Sequence, residues 1–411
     1  MSLLLLPLAA LPVSWALDNG LGRTPQMGYN SWYDVECAAA MNETFLKAEA
    51  DALVAKGLAK LGYRYVNLDD CWAVDRRGPG GTLQADPAMF PSGTLKPLSD
   101  YVHQMGLLFG TYTDRADKTC AGRPGALGHE ALDARTYADW GVDYLKEDSC
   151  FAATDHAKAF AQYGAMRDGL NKTGRPIFFS LCGWNDWYAP VGASLGNSWR
   201  VGPDDTNWPG ILSNIDIMAG LGKYAGPGGW NDPCLLLSSC SSQLGDCPGG
   251  RRVTELQTRA QFSMWAVLAA PLLISGSVVH MSQADLETYS NKEVISVNQD
   301  PLGKQGIRVF GGELTKGASN VWGKPLSDGS VAMVFINTGD AAVDVTCDPQ
   351  CFSSLGFGSQ DRLDAGDLWA PWRDLDPISN LRFTAEALAP HGGHLMLRIR
   401  KAATNLGVVV V

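Results

Sequence analysis

The sequence lacks any concentration of positive charge. Its 411 residues include 33 lysines and arginines against 43 aspartates and glutamates, which gives a formal net charge of −10 at pH 7. Binding to a nucleic-acid backbone needs clustered basic side chains, so we expect no nucleic-acid partner. The acidic excess fits a neutral or cationic substrate, or an acidic compartment.

Common signatures of metal and nucleotide sites are also missing. None of the ten cysteines forms a CxxC pair, and the six histidines form no HExxH motif. We therefore predict no metal and no cofactor. The segment MGYNSWYDVEC at the first candidate strand is not the glycine-rich turn of a nucleotide site. The GPGG at 226–229 precedes Trp-Asn-Asp rather than a helix, and we interpret it as a turn.

Long apolar runs are absent after the first sixteen residues, MSLLLLPLAALPVSWA. This run is too short to span a membrane, and Ser14 and Ala16 supply the small residues that a signal peptidase favours. We predict a signal peptide over residues 1–16, with a buried N-terminal strand as the alternative. The expected location is outside the cell, or the lumen of a vacuole or lysosome, without a membrane partner.

The cysteine count and two sequons agree with export. An even number of cysteines in an exported chain favours disulfides, and short loops close at little entropic cost. The spacing therefore favours Cys347–Cys351 and, less strongly, Cys240–Cys247. N-glycosylation sequons begin at Asn42 and Asn171.

Strand and helix patterns alternate along most of the chain. The strand candidates are Gln26–Trp32, Tyr63–Asp69, Leu107–Thr113, Val142–Lys146, Pro176–Leu181, Ser198–Val201, Tyr224–Gly228 and Pro271–Ser275. Eight strands with intervening helices predict an α/β fold, a (β/α)8 TIM barrel over residues 17–302. A doubly wound sheet is the alternative. The alternating pattern of the remaining chain predicts a small antiparallel β-sandwich over 303–411.

Polar residues recur at the predicted strand ends, where a barrel carries its functional groups. Lys146 and Asp148 are two apart in VDYLKEDSC, so a strand points both into the barrel mouth and Glu147 away from it. A structural ion pair is the alternative for this stretch alone. Together with Asp69, Asp70 and Asp204, and with nearby Trp and Tyr side chains, the set indicates a site for sugar hydroxyls.

Hydrolysis of a glycosidic bond needs two carboxyl groups, one ionised and one protonated. Lys146 would favour the charged form of Asp148. A charged Asp148 would in turn raise the pKa of a nearby Asp204, although Arg200 opposes that effect. The residues alone therefore favour this pair as the catalytic carboxyl groups without fixing the assignment.

The motifs that carry a family resemblance run in order along the chain: LGRTPQMGYNSW, NLDDCW, TYTDRADKTC, YLKEDSC, NSWRVGPD, GPGGWNDP, APLLISG and NQDPLGKQG. In these motifs the chain resembles the α-galactosidases of glycoside hydrolase family 27. The β-rich tail, with APHGGHLMLRI, resembles the C-terminal sandwich of that family. The resemblance implies a retaining exo-glycosidase that releases terminal α-galactose from oligosaccharides or glycoconjugates. The sequence allows a homodimer as well as a monomer.

The resemblance also implies catalytic roles and disulfides. Asp148, in the family's K-x-D-x-C motif, is expected to be the nucleophile, and Asp204, in the segment after the W-R motif, the acid/base. Asp205 is the rival for the second role. Cys37–Cys71 and Cys120–Cys150 are expected to brace the rim.

The residues expected to bind the substrate are Trp32, Asp69, Asp70, Tyr112, Lys146, Cys182, Trp184 and Arg200. By resemblance, Asp69 and Asp70 hold the 4- and 6-hydroxyls, Lys146 the 3- and 4-hydroxyls, and Arg200 lies by the 2-hydroxyl. Trp32 forms the pocket wall.

Two departures from the family pattern bear on specificity. Gly183 stands where the family often has Glu or Ser, and Asp186 or Trp187 could line that region instead. Cys234 stands where an aspartate is common, and Cys182 and Cys234 are either free or bonded to each other. Alternatives to the α-galactosidase prediction are an α-N-acetylgalactosaminidase, for which Gly183 could leave room, a β-L-arabinopyranosidase, and a non-catalytic galactose-binding protein.

Overall fold

The computed structural model describes residues 19–239, 253–370 and 373–402. The predicted signal peptide and the predicted Cys240–Cys247 pair lie outside these residues. Across the described ranges, none of the helices combines the length and the apolar character that a membrane crossing requires.

Eight parallel strands form the first sheet, in the order β7-β6-β5-β4-β3-β2-β1-β8. They are β1 (Met27–Asn30), β2 (Tyr65–Asn67), β3 (Leu108–Asp114), β4 (Tyr144–Asp148), β5 (Phe178–Leu181), β6 (Ser198–Arg200), β7 (Trp230–Asp232) and β8 (Leu272–Ile274). A parallel bridge from Leu236, just after β7, to Ile274 of β8 links the two outer strands. The sheet therefore closes into the predicted barrel.

Helices alternate with these strands. They are α1 (Trp32–Val35), α2 (Glu43–Ala55), α3 (Lys96–Gln104), α4 (Glu130–Asp139), α5 (His156–Lys172), α6 (Ala189–Leu195), α7 (Trp208–Met218), α8 (Glu255–Val267), α9 (Gln283–Tyr289) and α10 (Lys292–Asn298). Side-chain caps fix several helix starts: Asn42 accepts from the Phe45 amide before α2, and Thr254 forms a capping box with Gln257 before α8. These caps satisfy backbone donors that the first helical turn leaves unpaired.

The prediction for the seventh strand is wrong in position. Tyr224–Gly228 was expected to be a strand, whereas β7 begins at Trp230. The Gly226 and Gly229 backbones bond each other across a tight turn, and Gly228 has a φ of +107°. Pro227 lacks an N–H and glycine suits a left-handed turn, so parallel pairing starts only after this turn.

The last part of the chain forms antiparallel sheets, as predicted for the β-sandwich. A six-stranded sheet has the order β14-β13-β16-β11-β10-β9, and β12 pairs with β15. The strands are β9 (Ile307–Phe310), β10 (Asn320–Pro325), β11 (Val331–Asn337), β12 (Val343–Cys347), β13 (Leu363–Asp367), β14 (Arg373–Asp374), β15 (Phe383–Leu388) and β16 (Gly393–Lys401). A short helix, α11 (Pro349–Ser353), contains Cys351, which is disulfide-bonded to Cys347.

The β part packs against the outside of the barrel through α8. Trp369 Nε1 donates to Ser263 Oγ at 2.9 Å, and His394 lies 3.1 Å from the same hydroxyl. Lys324 of β10 donates to the carbonyl oxygens of Ala266 and Val297, at 3.2 and 2.6 Å. The expected boundary at residue 302 falls between α10 and β9, and its position stays a prediction.

Candidate active site

Alternation along β4 brings Lys146 and Asp148 to the barrel interior. In the register with β3, Tyr112 lies beside Lys146 and Asp114 beside Asp148. Glu147 does not share their pocket: it is fully buried elsewhere, and that burial raises the pKa of its carboxyl group well above the usual range. Of the three charged residues that end β4, Lys146 and Asp148 therefore face the barrel interior, and Glu147 faces away from it.

A cavity of about 360 Å³ opens at the carboxyl ends of the strands, and we call it the mouth pocket. It is lined by Trp32, Asp69, Asp70, Tyr112, Cys120, Lys146, Asp148, Cys150, Trp184, Pro203 and Asp204. The volume is at the lower end of the range of small-molecule sites. All of the residues predicted for catalysis or substrate binding line it, except Cys182 and Arg200.

Cys182 and Arg200 lie behind the wall of the mouth pocket, and both are almost fully buried. Arg200 donates from Nη2 to Asp204 Oδ1 at 3.0 Å and from Nη1 towards Cys182 Sγ at 3.8 Å. Arg200 therefore reaches the mouth pocket through Asp204, whose carboxylate it holds.

Asp148 is the more enclosed of the two proposed catalytic carboxyl groups. Its Oδ2 accepts from the Tyr112 hydroxyl at 3.1 Å, and its Oδ1 from the Ser149 amide at 2.8 Å. Burial raises the pKa of Asp148 to about 6, while Lys146 and the Ser149 amide lower it. The expected effect of Lys146 is present, but desolvation outweighs it.

Lys146 links Asp148 to a second carboxylate. Its Nζ donates to the two oxygens of Asp69 at 2.9 and 3.2 Å and lies 3.8 Å from Asp148 Oδ2. Burial lowers the pKa of Lys146, but the carboxylates, Asp69 first, raise it further, so the net shift is well upward. Asn30 Nδ2 donates to Asp69 Oδ2 at 2.8 Å, and this hydrogen bond helps to hold the Asp69 carboxylate in its ion pair with Lys146.

Backbone amides hold the Asp70 carboxylate at the mouth pocket. Its Oδ2 accepts from the Ala121 amide at 2.9 Å, and its Oδ1 from the Cys71 amide at 2.6 Å. The disulfide Cys37–Cys71 follows directly, and Cys120–Cys150 closes the neighbouring loops. Cys120 and Cys150 themselves line the mouth pocket, whose rim their disulfide was expected to brace.

Two adjacent aspartates have opposite surroundings. The Asp204 side chain is 47% exposed at the mouth pocket, against 7% for Asp148. Asp205 is fully buried and accepts from Gln261 Nε2 at 3.1 Å. The backbone therefore presents Asp204 to the pocket and turns Asp205 into the barrel wall.

The segment after β5 departs from the sequence expectation. Asp186 and Trp187 do not line the mouth pocket, whereas Trp184 does, with a left-handed φ of +56°. A Cβ atom at Gly183 would lie 1.9 Å from the ring of Tyr188, so that ring already occupies the space beside this glycine. Among the described cysteines, Cys182 and Cys234 are free and buried.

Asp114 is a buried neighbour of Asp148. It accepts from the amides of Ala116 and Cys150, at 2.8 and 2.7 Å. Burial, and then the charge of Asp148, raise the pKa of Asp114 to about 8. Cys120 and Cys150 lie close to both carboxylates, but their sulfurs are bonded to each other and so do not make a metal site.

The predicted glycosylation sites differ in exposure. Asn171 is exposed near the end of α5, whereas Asn42 is half-buried and its side chain caps α2. Modification at either position stays a prediction.

A buried carboxyl group and an open one share a pocket with a lysine, two further carboxylates and aromatic walls, on a (β/α)8 barrel. Fold and site together define a glycoside hydrolase. The sequence model described as Alpha galactosidase A matches residues 24–300, and that of the alpha galactosidase C-terminal beta sandwich domain matches residues 316–398. The chain belongs to this alpha-galactosidase family.

Relatives match over most of their length. The chain is 44% identical over 356 residues to an alpha-galactosidase of Cyamopsis tetragonoloba, covering 86% of this chain and 81% of the relative. It is 44% identical over 357 residues to an alpha-galactosidase of Coffea arabica, covering 86% and 89%. The structure of the Saccharomyces cerevisiae alpha-galactosidase with raffinose has a TM-score of 0.83 at 30% identity, covering 95% of this chain and 100% of that chain.

Proposed function

We propose that this enzyme is a retaining exo-α-galactosidase, with Asp148 as the nucleophile and Asp204 as the acid/base. The observation that carries the proposal is that a buried Asp148 and an open Asp204 line one pocket of single-sugar size. In retaining glycosidases the two carboxyl groups lie about 5–5.5 Å apart across the scissile bond.

In the first step, an Asp148 oxygen attacks the anomeric carbon while Asp204 gives its proton to the departing glycosidic oxygen. The product of this step is a galactosyl ester of Asp148 and a free alcohol. In the second step, Asp204 takes a proton from water, and the resulting hydroxide displaces Asp148 from the sugar. Lys146, the Ser149 amide and Tyr112 favour the ionised Asp148 that attack requires.

The other lining residues supply sugar recognition. We assign Asp69 and Asp70 to the 4- and 6-hydroxyls and Lys146 to the 3- and 4-hydroxyls, because carboxylates and ammonium groups bond hydroxyls strongly. Trp32 and Trp184 cover the apolar face of the ring. An axial 4-hydroxyl that meets the buried Asp69–Lys146 pair distinguishes galactose from glucose.

The surroundings of Gly183 favour a galactoside without a substituent at the 2-position of the sugar. The N-acetyl alternative rests on free space beside Gly183, and the Tyr188 ring fills that space. Asp70 argues against arabinopyranose, which lacks the 6-carbon. A non-catalytic galactose-binding protein would not need a buried and an open carboxyl group in the same pocket.

The disulfides of the chain bear on where the enzyme is located. Three disulfides stabilise the described residues, which favours an oxidising compartment. We therefore propose a secreted enzyme, or one of the vacuolar or lysosomal lumen. The homodimer stays a prediction that sedimentation equilibrium checks.

The test compares nitrophenyl α-galactoside hydrolysis by the wild type, Asp148→Asn and Asp204→Asn. We expect kcat to fall about 10³- to 10⁴-fold for Asp148→Asn, and less for Asp204→Asn because nitrophenolate leaves without a proton. Azide should rescue Asp204→Asn and yield α-galactosyl azide, since it attacks the ester with the retaining geometry. Asp186→Asn, an exposed neighbour outside the pocket, is the matched control.

Two outcomes contradict the proposal. Undiminished turnover by Asp148→Asn would remove the nucleophile assignment. Faster hydrolysis of the N-acetylgalactosaminide or the β-L-arabinopyranoside than of the α-galactoside by wild type would replace the substrate.

A further inference from the structure

The loop after β4 presents an aromatic ring to solvent beside the mouth pocket. Phe151 is 73% exposed, which is the highest value for a large hydrophobic side chain among the described residues. The residue before it, Cys150, lines the mouth pocket. Phe151 therefore follows directly on a residue of the pocket lining, and its side chain is open to solvent.

The backbone at this position is strained. Phe151 has a φ of +58°, a left-handed conformation that costs a bulky residue free energy and that glycine would adopt readily. Trp184, on the loop after the neighbouring strand β5, has a φ of +56° and lines the mouth pocket. Strain of this kind persists where surrounding structure enforces it, and it concentrates at functional sites.

Buried contacts hold the loop on both sides of Phe151. Arg115, which is 3% exposed, donates from Nε to Ser149 Oγ at 2.9 Å and from Nη2 to the Ala153 carbonyl at 2.8 Å. Cys150 is fixed by its disulfide and by Asp114. The exposed ring is thus carried on a braced turn.

The rim is also continuous with the next loop. His156, at the start of α5, stacks on the Trp187 ring with the centroids 3.8 Å apart. This contact links the start of α5, which follows the loop of Phe151, to the segment that carries Trp184.

We propose that Phe151 is the platform of a leaving-group subsite, on which the sugar next to the released galactose stacks. The inference rests on the proposed function. With galactose enclosed beside Asp148, the departing group must project past the open Asp204 and out of the mouth, where the rim loops lie. The apolar face of a pyranose or furanose ring suits an exposed aromatic ring.

The test compares two substrates that share galactose and differ in leaving group. Raffinose has a sugar there, whereas α-galactosyl fluoride has none. For Phe151→Ala we expect kcat/KM on raffinose to fall about ten-fold, mainly through KM, with a much smaller change on the fluoride. Phe151→Trp should retain activity on raffinose, and Phe151→Gly, which relieves the strain but lacks the ring, should behave like Phe151→Ala.

Phe310→Ala is the matched control, since Phe310 is an exposed aromatic residue on the regular strand β9 of the β part. Equal losses of Phe151→Ala on both substrates, or no loss on raffinose, would overturn the leaving-group subsite. A wild type that hydrolyses neither substrate would instead overturn the proposed function, so the two failures are distinguishable.

Discussion

Lys146, whose side chain is 14% exposed, and Lys324, which is fully buried, have pKa values shifted in opposite directions. Lys146 lies in the mouth pocket between Asp69 and Asp148, and the net shift of its pKa is upward. Lys324 is fully buried where the β part meets the barrel, and burial lowers its pKa to about 7, while the charge of Asp300 acts in the opposite direction. Its hydrogen bonds go to carbonyl oxygens.

The charge state of a lysine that is removed from water depends on its partners. Two carboxylates compensate the desolvation of Lys146, so it stays a cation, as the proposed sugar-binding role requires. Carbonyl dipoles compensate Lys324 only in part. Nearby, desolvation lowers the pKa of the His394 imidazole to about 4. Stability at the interface should therefore depend on pH through a lysine that plays no part in catalysis.

Replacing Lys146 should give the largest effect. Lys146→Met leaves the Asp69 and Asp148 carboxylates without their cation, so we expect kcat/KM on nitrophenyl α-galactoside to fall by about three orders of magnitude. Because Lys146 lowers the pKa of Asp148, the acidic limb of the residual pH–rate profile should move to higher pH. Steady-state kinetics from pH 4 to pH 8 measures both effects.

Lys324→Met is the control for that measurement, because it removes a buried lysine that lies outside the mouth pocket. It should keep the wild-type kcat/KM and pH–rate profile. An equal loss of activity in the two variants would mean that Lys146 acts through folding rather than through the mouth pocket.

The alternation of side chains made much of the site predictable. The period of two in YLKED sends Lys146 and Asp148 to one side, and the end of β2 delivers Asp69 and Asp70 to the same rim. These are local rules, so a single segment is enough to apply them. The barrel itself followed from repeated strand and helix patterns.

Other features depend on contacts between distant segments. Cys182 and Arg200 are buried and do not line the mouth pocket, and no single motif encodes which strand-end side chains reach the opening. The prediction that Lys146 governs the ionisation of Asp148 considered charge and left out burial, which dominates. Nothing in NVWGKP marks Lys324 as buried, because β10 acquires that burial only by packing on the barrel helices.

Asp114 offers a second, smaller test of how burial and partners combine. Its pKa is raised to about 8, so the unfolded chain gives up this proton at lower pH than the folded one. The stability that protonated Asp114 contributes is therefore fully present at low pH and is lost as the pH rises towards 8. Asp114→Asn should remove this dependence, a difference of about 2–4 kcal/mol in unfolding free energy between pH 5 and pH 8.

Denaturant unfolding at the two pH values measures this difference. Asp117→Asn, an exposed aspartate in the same loop, is the control and should follow the wild type. A wild type whose stability does not decline relative to Asp114→Asn would show that Asp114 is ionised in the folded protein.

Lys324→Met should give the smallest effect and completes the comparison. The folded pKa of Lys324 lies below its unfolded value of 10.5, so the unfolded chain binds the proton more strongly between pH 7 and pH 10.5. Wild-type stability should therefore rise with pH across that window, and the cost of charging should be complete below pH 7. Methionine removes that cost but takes a hydrogen-bond donor away from the Ala266 and Val297 carbonyl oxygens, so the net gain at pH 6 should be about 1–3 kcal/mol and should vanish by pH 10. Denaturant unfolding across this pH range measures the difference between the variant and the wild type. A variant that is less stable than the wild type at pH 6 would mean that the carbonyl oxygens fully compensate a charged Lys324. Lys146 and Lys324 would then differ in the type of their partners but not in their charge.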